Sequence, residues 1–187
     1  LIGPDALSLA QYVLTNNAAA LEDGQGQYTL LSDSQGFALD DAYLYRLGSD
    51  QFRLVVNAGN RAKNWAWLTE HKNKFPNVTL VDKSEELAMV SLQGPESTLI
   101  LADMVRARNL PDKKNKFTLA ELVGRQVMVA RTGYTGEAKG YEVILPAEIA
   151  LGVWRGLINE FEVTPAGLGS RDSLRTEAGY PLYGHEF

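Results

Sequence analysis

Leu1-Ile2-Gly3-Pro4-Asp5-Ala6 and, 91 positions later, Leu92-Gln93-Gly94-Pro95-Glu96-Ser97 are two versions of one phrase: a leucine, one further residue, Gly-Pro, an acid and a small residue. Each opens a segment with helical character. After the first, Leu7, Ala10, Val13 and Leu14 recur at helical spacing behind a proline suited to a first turn, and the stretch after the second, through Val105, is similar. A phrase repeated ahead of two helices is a weak but specific mark of an internal repeat.

Between the two phrases, Gln27 to Leu31, Phe37 to Leu47, Gln51 to Val56 and Val78 to Val81 have strand character. Asp33-Ser34-Gln35-Gly36 and Gly48-Ser49-Asp50 read as hairpin turns between the first three. Asn60 to His71, with Ala62, Trp65 and Leu68 at i, i+3, i+6, reads as an amphipathic helix. The second half continues with strands Leu87 to Leu92, Lys116 to Leu122, Gln126 to Arg131 and Gly140 to Leu145, and Lys113-Lys114-Asn115-Lys116 reads as a solvated loop. Two helices close the chain: one carries Ile149, Ala150, Val153, Trp154, Leu157 and Ile158, and the other has Ser170 as expected N-cap and Gly179 just past its end. The expected fold class is α+β.

The 187 residues suffice for a sizeable core, with 45% hydrophobic and 22% charged residues, an ordinary globular composition. A net charge of −5 and a pI near 5.1 speak against nucleic-acid binding, which needs clustered Lys and Arg to displace phosphate counterions. No apolar run approaches the ~18 residues of a membrane helix. With no cysteine there is no disulfide, thiolate metal site or cysteine nucleophile, and two histidines make a multi-ligand metal site an unfavoured reading. The expectation is therefore no metal, no nucleic acid and no membrane. Neither a Ser-His-Asp spacing nor a phosphate-cradling glycine loop is present.

Within Phe37 to Leu47 a period of two puts Phe37, Leu39, Asp41, Tyr43, Tyr45 and Leu47 on one face and Ala38, Asp40, Ala42, Leu44 and Arg46 on the other. Asp41 interrupts an aromatic, apolar stripe, where a carboxylate loses hydration and needs a proton or a cationic or N–H partner. That suits the binding of a polar heterocycle. Asp40, on the more polar face, reads as an ordinary strand carboxylate. Tyr28, Tyr43 and Tyr45 offer flat surfaces for a ligand, although strand aromatics are more often core. Asn57, closing Leu54-Val55-Val56, and Glu142, inside Tyr141 to Leu145, place polar groups where packed strands meet loops. The commoner reading of an isolated strand Glu is a solvent-facing one. Arg171 and Arg175 flank Asp172 at i, i+4, a pattern usually belonging to surface ion pairs. Gly133-Tyr134-Thr135-Gly136-Glu137 reads as a turn that lets backbone approach a ligand.

Taken in order, several stretches resemble the T-proteins of glycine cleavage systems, the aminomethyltransferase family, over essentially the whole chain. They are Gly3-Pro4-Asp5-Ala6, Thr15-Asn16, Gly36 through Asp40-Asp41, Val55-Val56-Asn57-Ala58 and Leu92-Gln93-Gly94-Pro95, then Arg131 to Glu137, Gly167 to Arg175 and Glu177 to Glu186. The resemblance implies a tetrahydrofolate-binding domain of duplicated ferredoxin-like units, expected at 1-27 with 88-187 and at 28-87 as an insertion. It implies Asp41, the second of the Asp pair, as catalytic residue, and Tyr28, Asn57, Tyr134, Glu142 and Arg171 as folate contacts. It implies tetrahydrofolate as co-substrate, lipoylated H-protein as partner, and a cytoplasmic or, in a eukaryote, mitochondrial-matrix setting. A T-protein normally has a strand segment before the position of Leu1 and a β-barrel after that of Phe187, so the chain is expected to be its folate-binding region. Gly36-Phe37 replaces the family's usual Gly-Gly, and the run Gly136 to Glu142 is one residue longer than usual. Rival readings on related scaffolds are a folate-dependent demethylase and a non-catalytic folate-binding accessory protein. The latter's Cys-containing motif is missing.

Overall fold

The computed structural model describes residues 1–105 and 109–186, which fall into two compact units, Leu1–Val81 with Tyr183–Phe187, and Asp82–Leu182. In the first, α1 (Ala6–Val13) leads through a short 3₁₀ turn into β1 (Gln25–Ser32), β2 (Ala38–Gly48) and β3 (Gln51–Val56), followed by α2 (Arg61–Lys72). The three strands form one antiparallel sheet in the order β1-β2-β3. In the second, β4 (Leu87–Gln93), α3 (Ser97–Met104), β5 (Phe117–Leu122), β6 (Arg125–Ala130), β7 (Gly140–Pro146) and α4 (Ala147–Asn159) build an antiparallel sheet ordered β4-β7-β6-β5. α5 (Leu168–Glu177) follows.

The repeated phrase makes the same turn in both units. Gly3 and Gly94 lie at φ +129° and +127°, conformations that side-chain-bearing residues rarely adopt. Gly3 N–H donates to Asp50 O and Gly94 N–H to Lys139 O, each the residue just ahead of the strand beside the turn. The carbonyls of Gly3 and Gly94 then accept from Ala6 N–H and Ser97 N–H, the first residues of α1 and α3. Ile2 bridges Gln51 as Gln93 pairs with Gly140. Both units therefore run strand, helix, three strands, helix, with the single bridging residue Ile2 standing for the first strand of the leading unit. The expected α+β class is met, while a ferredoxin-like unit has two strands between its helices and each unit here has three.

The expected division between 1-27 with 88-187 and an insertion at 28-87 differs from the observed one. α1, with Ala6, Leu9, Ala10 and Val13 buried, shares its core with Leu31, Ala42, Leu44 and Phe52 of β1 to β3 and with Leu68 of α2, so residues 1–27 belong with 28–81. The second core gathers Val90, Leu92, Leu101, Val127, Val129, Tyr141, Val143, Leu145, Val153 and Leu157.

Three local expectations are corrected. Val78 to Val81 is no strand: Thr79 makes only a bridge to Ile2. In α2 the buried side chains are Asn64 and Leu68, with Trp65 turned to solvent, because the helix presents Asn64 to the carboxylate of Asp40. α5 is capped by Gly167 rather than Ser170, which lies inside the helix, while Gly179 adopts the left-handed conformation (φ +72°) expected beyond its end.

Candidate functional site

The Asp pair of β2 is split by the pleat, and the buried face is the opposite of the one the alternation suggested. Asp40, Ala42 and Leu44 point into the core, whereas Leu39, Asp41 and Tyr43 are half-buried. Tyr45 joins the core and Phe37 is 68% exposed, so the bulky replacement for the usual glycine leaves its ring in solvent. Tyr43 and Tyr45 contact one another with ring centroids 4.9 Å apart.

Asp41 is held from both sides. Tyr28 opposes Tyr43 in the β1-β2 register, which sets it diagonal to Asp41 on the same face, and its hydroxyl donates to Asp41 Oδ2 at 3.0 Å. The amide of Asn57 donates to Asp41 Oδ1 and, at 3.4 Å, to the Asp41 carbonyl. Of the two ways to satisfy a half-buried carboxylate, this site uses hydroxyl and amide donors. Three of the residues singled out from the sequence, Tyr28, Asp41 and Asn57, thus form one cluster.

Asp40 is a functional candidate that sequence reasoning passed over. It has no solvent exposure, and three asparagine amides converge on it: Asn57 at 2.8 Å and Asn60 at 2.7 Å on Oδ1, and Asn64 on Oδ2. The readable signal was the triplet Asn57, Asn60, Asn64 at helical offsets of three and four just after a strand.

In the other unit, Glu142 of β7 is half-buried rather than solvent-facing, and Thr132 Oγ1 donates to its Oε2 at 2.5 Å. Burial raises the Glu142 carboxyl above the usual glutamate range, opposed by that hydrogen bond and by the Arg171 charge. Arg171 lies with its guanidinium 5.6 Å from the centre of the Tyr134 ring. Tyr134 in turn contacts Tyr180, centroids 5.1 Å apart, and its hydroxyl donates to the Pro181 carbonyl. Tyr134, Glu142 and Arg171 are therefore brought into a second cluster. Arg175, expected in a surface pair, is instead 5% exposed, gripping Asp172 through Nε at 2.8 Å and Nη2 at 2.7 Å and donating to the Tyr180 carbonyl.

The Gly133 to Glu137 turn is shaped by a side chain rather than by open space. The amide of Gln93 donates to the carbonyls of Thr132 and Tyr141, both at 3.2 Å. A Cβ at Gly133 or Gly140 would stand 2.1 Å or 1.9 Å from its Oε1. Among the described residues no group of three or more His, Cys, Asp or Glu could hold a metal, and no helix is long and apolar enough to cross a membrane.

The pattern of the whole chain, residues 1–187, matches the GCVT N-terminal domain. The chain belongs to that family. Curated relatives of this GCVT N-terminal domain include proteins named aminomethyltransferase from Chlorobaculum tepidum, 44% identical, and Thermus thermophilus, 45% identical, each alignment covering 98% of the chain and 51% and 52% of the respective relative. The glycine cleavage system aminomethyltransferase T of Bartonella henselae has a similar crystal structure, with TM-score 0.83 and 33% identity over 97% of this chain and 48% of that one. The GCVT N-terminal domain described here thus spans about half the length of the curated relatives it matches.

Proposed function

We propose that this chain is the tetrahydrofolate-binding part of a glycine cleavage aminomethyltransferase, which passes a methylene carbon from the aminomethyl group on the lipoyl arm of H-protein to tetrahydrofolate and releases ammonia. The names of its relatives support this reading, and one observation carries it: Asp41 is a half-buried carboxylate fixed by Tyr28 and Asn57 in an otherwise apolar strand face. A carboxylate so fixed can orient N5–H of the folate or take its proton as N5 bonds to the methylene carbon and the carbon–nitrogen bond to the departing ammonia breaks; ring closure by N10 then breaks the carbon–sulfur bond and returns the lipoyl arm as its thiol. Tyr28 and Asn57 keep Asp41 in one rotamer while this happens, and the remaining rate enhancement comes from holding folate and the aminomethyl arm together.

Tyr134, Glu142 and Arg171 are proposed as further folate contacts. A half-buried carboxylate accepts from the N–H groups of a pterin, an aromatic ring stacks on a flat heterocycle, and a guanidinium pairs with the carboxylates of a glutamate tail.

The test is turnover with aminomethyl-loaded H-protein and tetrahydrofolate. Asp41→Asn should lower it by about 10²- to 10⁴-fold, the usual worth of a positioned general base. Near-full turnover in that variant would contradict the assignment. Turnover with small sulfonium or amine methyl donors in place of H-protein would point to the demethylase chemistry instead.

A further inference from the structure

Asp40 is used by nothing in the proposed chemistry, and yet the fold devotes three asparagines to it. A buried carboxylate is costly, and an apolar or amide group of the same shape would fill the space at least as stably. Asn60 is the N-cap residue of α2 and Asn57 the N-cap residue of the 3₁₀ turn Ala58–Asn60, positions where an asparagine normally accepts a backbone N–H. Neither caps: both side chains turn away from the helix ends and donate to Asp40. Asn64 gives its amide to the same carboxylate and leaves its own Oδ1 buried without a partner. Two forgone caps and one orphaned oxygen are the local cost of gathering these amides around Asp40.

The consequence lies in Asn57. Its amide nitrogen donates both to Asp40 Oδ1 and to Asp41 Oδ1, so one NH₂ group spans two adjacent carboxylates that the pleat sends to opposite faces of β2. An amide has two hydrogens in a fixed plane, so anchoring one of them on Asp40 fixes where the other points. The position of Asp40, set from the N-terminal end of α2 by Asn60 and Asn64, is thereby passed to Asp41.

We infer that Asp40 is a positioning residue: the buried carboxylate anchors the Asn57 amide, and the amide sets the orientation of the Asp41 carboxylate toward its ligand. This rests on Asp41 contacting tetrahydrofolate as proposed above. Asp40 itself touches no substrate, and it acts only through Asn57.

The experiment is a double-mutant cycle of Asp40→Asn and Asp41→Asn, read by calorimetric titration of the chain with tetrahydrofolate, with melting temperatures recorded for each variant. Asp40→Asn keeps the shape, and an amide flip at Asn64 would turn its now partnerless Oδ1 toward the new amide, so the core stays filled while Asn57 is left with a neutral, weaker acceptor in place of the carboxylate that anchors it. Asp40→Asn should weaken tetrahydrofolate binding by about tenfold, and the double variant should bind no more weakly than Asp41→Asn alone, because coupled groups give non-additive losses. A merely structural role would lower the melting temperature and leave the two binding losses multiplicative, and that result overturns the inference. Asp41→Asn binding as the parent does would instead overturn the assignment of Asp41, a distinct outcome. Should Asp40→Asn not fold, Asn60→Ala, which removes one anchor at a half-buried position, takes its place in the cycle. About a threefold, non-multiplicative loss is then expected, and unchanged or multiplicative binding overturns the inference.

Discussion

At the scale of single residues, two neighbouring carboxylates are assigned opposite duties by the pleat. Asp40, with no exposed surface, is satisfied by Asn57, Asn60 and Asn64. Asp40→Ala would leave a cavity and strand the buried amide of Asn64 together with the half-buried one of Asn60, and a loss of about 3 kcal/mol in urea unfolding is expected, against which a loss below about 1 kcal/mol would count. Asp41, half-buried, should affect stability less and binding more. Glu142 supplies a pH signature. Burial raises its folded-state value, so the folded chain holds a proton over a range in which the unfolded chain has released it. The stability linked to that proton is full below the ordinary glutamate range and is lost as pH rises through the raised value. The melting temperature of Glu142→Gln should therefore be near the parent's at about pH 4 and exceed it increasingly toward about pH 7. A gap that does not change with pH would rule this out. Asp41 was legible because an acid in an aromatic stripe breaks a period-two pattern. Asp40 was not, because a strand's alternation fixes which residues share a face but leaves open which face is covered.

At the scale of elements, Gln93 ties the end of β4 to the turn after β6 and to the start of β7. Gly140, paired with Gln93, admits that side chain by having none of its own, and Gly140→Ala should cost roughly 1–3 kcal/mol. In a Gln93→Ala background the same change should cost clearly less, since the colliding amide is gone. Equal costs in both backgrounds, measured by denaturant unfolding, would show the clash to be unimportant. Strand positions and both hairpins were legible from alternation and turn residues, but the buried face of α2 was not. Ala62, Trp65 and Leu68 follow a helical period, and so do Asn64 and Leu68. Hydrophobicity favoured the first set, whereas the demand of Asp40 for amide donors selected the second. Val78 to Val81 has strand composition but only Thr79 finds a bridging partner.

At the scale of the molecule, the repeated Gly-Pro phrase was the most informative stretch, since Gly3 and Gly94 adopt the same left-handed turn and hydrogen-bond to the residues preceding β3 and β7. The division of the chain was less legible: residues 1–27 carry no sign of which core they join until α1 is seen packed with Leu31, Leu44 and Leu68. Each unit contributes one cluster of the proposed folate residues, Tyr28, Asp41 and Asn57 in the first and Tyr134, Glu142 and Arg171 in the second. The proposed chemistry is centred on Asp41, so the decisive measurement is calorimetric titration of the chain with tetrahydrofolate, parent against Asp41→Ala in the same buffer. Binding by the parent that falls at least tenfold in the variant, a difference of about 1.4 kcal/mol, is the predicted result. Equal affinity of the two proteins would contradict the central role given to Asp41.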